Sequence, residues 1–176
     1  MNHTVTEIRR PEPDEYHHVF RHYVESVKGD DIVAILTKNR DKMTRLLETI
    51  SWEKWEHAYA PDKWTLAQAV VHLIDFERIF AYRALRIARN DKTPLAGFEQ
   101  EELADFSHAT QRLPASIVKE YTAVREATIQ LFENFTDEMW DRRGTAAGYS
   151  FTALAIAYII AGHELHHRKL IEERYL

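Results

Sequence analysis

The chain has 176 residues, 45% hydrophobic and 29% charged, a length and composition suited to one soluble globular domain with its own core. It contains no cysteine, so disulfides, thiolate nucleophiles and Cys-ligated zinc or iron–sulfur sites are excluded, and any metal must rest on His, Asp or Glu. A net charge of -5, with Lys and Arg interleaved among Asp and Glu, argues against nucleic acid as a partner.

The opening residues, MNHTVTEIRRPEPDEYHH, lack the apolar middle of a secretory signal and the acid-poor character of a transit peptide. No stretch approaches the roughly 18 uninterrupted apolar residues of a membrane span, so a cytoplasmic protein without a membrane partner is expected. Residues 1–13, charged and holding Pro11 and Pro13, read as a detachable lead. From Asp14 to Val27 a short helix is expected, ended at Lys28-Gly29. Asp30 or Asp31 then caps a helix to about Thr49, striped by Ile32, Ile35, Leu36, Met43, Leu46, Leu47 and Ile50. Ser51 to Trp55 reads as a connecting turn.

A second long helix is expected from Thr65 to about Asn90, with Ala69, His72, Leu73, Phe76, Ile79, Phe80 and Ile87 toward one side. The weak, acidic pattern from Thr93 to Leu113 suits a crossover with one short helical turn. A third helix starts near Pro114 and runs to about Asn134, followed by a turn at Thr136-Asp137-Glu138. Gly144 to Gly148 read as a loop before a fourth helix from Ser150 to about Arg174. The expectation is therefore an all-α chain of four long helices, with no strand and no internal repeat.

Ten histidines are more than such a domain ordinarily needs, and their grouping carries the functional reading. His163 and His167 are four apart, which places them about 40° apart and roughly 6 Å along one helix, close enough to grip one ion. Their direction coincides with Ile156, Ile159, Ile160 and Leu170, so they point inward, where metal coordination offsets the cost of burying two imidazoles. His72 lies in line with Phe76 and Ile79 on the second helix and supplies a third ligand. Three imidazoles leave one coordination position open, as catalytic sites do, and suit zinc, nickel, copper or iron(II). A bland reading stands beside this one, because a lone core-facing His is ordinarily a hydrogen-bonded filler. His3, His17, His18, His22, His57 and His108 read as surface or packing residues, and Trp64, Phe76, Phe80 and Trp140 as core rather than a ligand cage.

His163-Glu164-x-x-His167 also spells the HExxH signature of zinc peptidases. Two features count against it. Only nine residues follow His167, with no downstream third ligand, and the helix projection turns Glu164 away from the metal side.

Val71-His72-Leu73-Ile74-Asp75-Phe76-Glu77-Arg78, preceded by Lys63-Trp64-Thr65-Leu66, together with Ala161-Gly162-His163-Glu164-Leu165-His166-His167-Arg168, resembles the DinB-like superfamily over about residues 30–176. The resemblance implies an up-down-down-up four-helix bundle with a long crossover between helices two and three. It makes residues 1–29 an N-terminal extension to a domain at 30–176. It further implies a nickel or zinc site on His72, His163 and His167, frequent homodimers, and chemistry on a small-molecule substrate. Characterised members of that superfamily include transferases and isomerases dependent on a low-molecular-weight thiol, bacillithiol or mycothiol.

The enzymatic expectation is activation of a bound thiol or water by a divalent ion. Asp75, one turn after His72, is a candidate to orient a ligand, against the simpler reading of a solvated or capping carboxylate. Arg83 shares the angular sector of His72 and is a candidate to attract a substrate carboxylate, against a surface salt bridge. Two other classes stay open: a non-catalytic domain that metal merely stabilises, and a protein interaction module.

Overall fold

The computed structural model describes residues 9–176. Within them lie eight α-helices and one two-stranded sheet. The helices are α1 (Arg21–Ser26), α2 (Ile32–Glu48), α3 (Trp52–Trp55), α4 (Leu66–Ala88), α5 (Gln100–Asp105), α6 (Pro114–Glu133), α7 (Asp137–Asp141) and α8 (Ala153–Arg174). Local chemistry sets the long ones. Asp31, the second of the two candidate caps, accepts the Ala34 N–H, and buried Ile32, Leu36, Met43 and Leu47 form the inner stripe of α2. Thr65 and Gln68 exchange side-chain and backbone hydrogen bonds at the start of α4. Pro114 opens α6, and Thr152 caps α8 by accepting the Ala155 N–H.

Four of these helices make the bundle: α4 packs on α6 and α8, and α2 packs on the same two. Their directions follow from contacts at their ends. Tyr175, just past α8, donates to Trp64 O, just before α4, so those helices are antiparallel. Tyr158 donates to Asp30 O, and Lys54 donates to Leu176 O, so α2 and α8 run the same way. Arg40 pairs with Glu126 and Thr44 lies 3.5 Å from Thr122, so α6 runs against α2 and parallel to α4, and residues 89–113 carry the chain back along the bundle between them. The order is up, down, down, up.

Three expectations are corrected. Residues 143–152 are not a loop entering a helix but a hairpin of β1 (Arg143–Ala146) and β2 (Tyr149–Thr152), with Ala146 opposite Tyr149. Its two turn residues, Ala147 and Gly148, have φ of +50° and +81°, the left-handed pair that a tight hairpin requires, and α8 starts only after β2 ends. The Ser51–Trp55 connection contains the single helical turn α3. Residues 9–13 are tied down rather than detachable: Arg9 pairs with Glu15 and Asp141, and Arg10 donates to the carbonyls of Val24, Val27 and Gly29 at the end of α1. His3 lies outside the described residues. No described helix is long and apolar enough to cross a membrane.

Candidate metal centre

The antiparallel pairing of α4 with α8 brings His72 against His163 and His167. One nitrogen from each of the three lies within 4.8 Å of the others, and all three side chains are buried. His72 Nε2 and His163 Nε2 stand 3.1 Å apart. Two nitrogens held at about 2.0–2.1 Å by one tetrahedral ion lie roughly 3.4 Å apart, so the spacing suits a shared cation. His167 Nδ1 is buried without a hydrogen-bond partner, a cost that coordination through that nitrogen would offset.

Electrostatics point the same way. Burial lowers the His72 pKa to about 4 and, reinforced by His72 and His166, that of His167 to about 3. His163 is held well below its ordinary value by burial and then by His167 and His72. All three rings are therefore neutral at physiological pH, the form in which imidazole binds a metal.

Aromatic rings fix the imidazoles in place. Phe76 stacks on His163 with centroids 3.7 Å apart, and Trp64 lies 4.7 Å from His72. Tyr23 of α1 meets His163 edge to face at 5.3 Å, so the segment before residue 30 covers one side of the cluster. On another side a cavity of about 430 Å³ reaches His167, walled by Tyr59, Lys63, Trp64, Glu101 and Tyr175 among others. Phe76, Phe80 and Trp140 are buried, whereas Trp64 is only partly covered and borders this cavity.

Glu164 is turned into the bundle, away from the three imidazoles. It pairs with Arg125 and accepts from the Tyr121 hydroxyl at 3.1 Å, and Arg125 also grips Glu77 at 2.7 and 2.8 Å. Burial raises the Glu164 carboxyl despite the opposing pull of Arg125. The residue that an HExxH peptidase would use as its base is thus engaged in a buried ion cluster. Asp75 faces Arg78, 3.6 Å away, on the α6 side. Arg83 is buried, donates to Ala96 O, and lines a different cavity from the one that reaches His167.

The sequence reading did not find Tyr23, or the cluster of Glu77, Tyr121, Arg125 and Glu164. A signal for the cluster was present: Arg125 falls on the buried stripe of α6 with Ile117, Tyr121, Thr128 and Phe132, where a cation demands a partner.

Comparison with known proteins agrees with this architecture. The structure of YfiT from Bacillus subtilis, described as a probable metal-dependent hydrolase with an unusual four-helix bundle topology, matches with a TM-score of 0.74 at 18% identity, covering 85% of this chain and 88% of that one. A mycothiol-dependent maleylpyruvate isomerase matches with a TM-score of 0.65 at 12% identity, over 83% of this chain and 62% of the isomerase. The DinB-like protein YjoA from Bacillus subtilis matches with a TM-score of 0.59 at 20% identity, over 80% and 86%. No curated protein matches the chain in sequence. The sequence pattern of the DinB superfamily, however, spans residues 35–171 and takes in all three histidines, and by that match the chain belongs to the DinB superfamily.

Proposed function

We propose that this protein is a metal-dependent enzyme acting on a small molecule, with one divalent ion, zinc or nickel, held by His72, His163 and His167. The observation that carries the reading is the convergence of three buried, neutral imidazoles beside a cavity open on the His167 side. A divalent ion held there supplies Lewis acidity, which activates a thiol or a water as nucleophile at neutral pH. The chain's own residues do the rest. Phe76 and Trp64 orient the imidazoles, Tyr23 shields them, and the cavity walls offer Lys63 and Glu101 to polar substrate groups and Trp64, Tyr59 and Tyr175 to apolar ones.

The chemistry is either transfer to or isomerisation with a low-molecular-weight thiol, or hydrolysis. Two structures sharing this fold support these alternatives, one described as a probable metal-dependent hydrolase and the other as a mycothiol-dependent isomerase. A homodimer belongs to the same proposal, and sedimentation analysis tests it.

Elemental analysis of freshly purified protein is the deciding experiment, followed by turnover assays on electrophiles with and without added thiols. About one equivalent of zinc or nickel is expected, lost in His163→Ala, with turnover that disappears on chelation. Stoichiometric metal without any turnover, and with a large stability loss on chelation, would favour a non-catalytic metal-stabilised domain. Absence of metal, unchanged in His163→Ala, would remove the proposal's centre.

A further inference from the structure

Arg83 projects from α4 eleven residues beyond His72, about 16 Å further along the helix. It is only 4% exposed, yet no carboxylate faces it among the described residues: its guanidinium donates to Ala96 O at 2.8 Å and lies over the rings of Phe80 and Phe98. The two neighbouring arginines are neutralised, Arg86 by Asp91 and Arg78 by Glu120 at 2.5 Å. Arg83 alone keeps an unbalanced charge. Burial opposes that charge and lowers its pKa, but a guanidinium does not give up its proton in a protein, so the desolvation cost stays until an anion arrives.

The space for that anion is present. Arg83 lines a cavity of about 570 Å³ between α4 and residues 93–98 of the crossover, within the usual range of roughly 300–1,000 Å³ for small-ligand sites. No acidic residue lines it, and Ile79, Tyr82, Leu95 and Phe98 give it mainly apolar walls. Arg78 and Arg86 also line the cavity but are engaged by Glu120 and Asp91, which leaves Arg83 as the guanidinium free to meet a ligand. One planar guanidinium matches a carboxylate fork, whereas the apolar walls offer little to the further oxygens of a phosphate.

We propose that this cavity binds a small organic carboxylate with an apolar body, through Arg83, at a site separate from the three-histidine centre. The carboxylate pairs with the Arg83 guanidinium, and the body of the ligand rests on Phe98, Tyr82 and Ile79. The site is independent of the metal, because its cation and walls come from the far end of α4 and from the crossover.

Titration calorimetry on the full metal-loaded protein with sodium benzoate tests this, with acetate and inorganic phosphate as comparisons. Saturable one-to-one binding of benzoate is expected, tighter than that of acetate or phosphate. Arg83→Gln should weaken it about tenfold or more, the loss of a charge-assisted hydrogen-bonded partner. Thr93→Glu, which places a competing carboxylate on the exposed rim without altering the core, should weaken it similarly and serves where Arg83→Gln fails to fold. Chelation of the metal should leave benzoate affinity unchanged. Absence of saturable binding, equal binding by the folded variants, or loss of binding on chelation would overturn the proposal, and phosphate binding as tight as benzoate would overturn the apolar body.

Discussion

Gly162 of α8 faces the Tyr23 carbonyl so closely that a Cβ on the glycine would lie 2.1 Å from the Tyr23 oxygen. This approach lets α1 dock on α8 one residue before His163 and sets the Tyr23 ring against that imidazole. Gly162→Ala should therefore push α1 off the bundle, costing about 1–3 kcal/mol or more because backbone rather than a flexible side chain is in the way. Urea unfolding gives the cost, and hydrogen exchange over residues 21–26 locates it. Unchanged protection of those amides would show that α1 does not depend on the glycine.

Arg125 holds two carboxylates, Glu77 from α4 and Glu164 from α8, all three side chains being nearly inaccessible to solvent. Breaking such a cluster from one side leaves buried charge unbalanced, whereas neutralising every member removes the problem. Arg125→Met should cost about 3–5 kcal/mol, and the triple variant with Glu77→Gln and Glu164→Gln should recover a large part of it. Denaturant midpoints of the single and triple variants decide between this and a simple packing role, which predicts no recovery.

How much of this was legible depended on whether the signal was local. The four long helices were readable because each announces itself within a few residues: a capping Asp31 or Thr65, an opening Pro114, and apolar residues at three- and four-residue spacing. The histidine set was legible for the same reason, since His163 and His167 share a helix face and His72 sits on an apolar stripe. The hairpin was not. Its strands are four residues each, too short for alternation to stand out, and Gly144 and Gly148 carry the composition of a loop. Tyr23 and Arg10 escaped because what they touch is more than a hundred residues away at His163 or resides in backbone carbonyls, and neither leaves a mark in local pattern.

Acid should destabilise the metal-free protein through the buried imidazoles. In the unfolded chain these groups take up protons below about 6.5, their ordinary value. In the folded chain burial delays that for His72 until about pH 4 and, with His72 and His166 contributing, for His167 until about pH 3. Between those limits the unfolded state binds more protons, so stability falls as pH falls from 6.5 toward 4, by on the order of 3 kcal/mol from His72 alone. Denaturant midpoints in chelator at pH 7.5, 6 and 5 should show the decline in the wild type and a shallower one in His72→Gln. Parallel curves would assign the acid sensitivity to other groups.

Trp64 offers a direct optical test of metal capture, because its ring lies 4.7 Å from that of His72 while it borders the cavity that reaches His167. A paramagnetic ion such as nickel, held by His72, would sit against the indole and quench its emission efficiently. The other three tryptophans, Trp52, Trp55 and Trp140, have no ring contact with these histidines among the described residues and should respond little. Titrating nickel into chelator-treated protein should therefore quench fluorescence with a one-to-one endpoint. The response should vanish both in Trp64→Phe, which removes the reporter and keeps the ligands, and in His163→Ala, which removes a ligand and keeps the reporter. If Trp64→Phe were still quenched to the same extent, the ion would be binding elsewhere, since only an ion close to position 64 can make the signal depend on that ring.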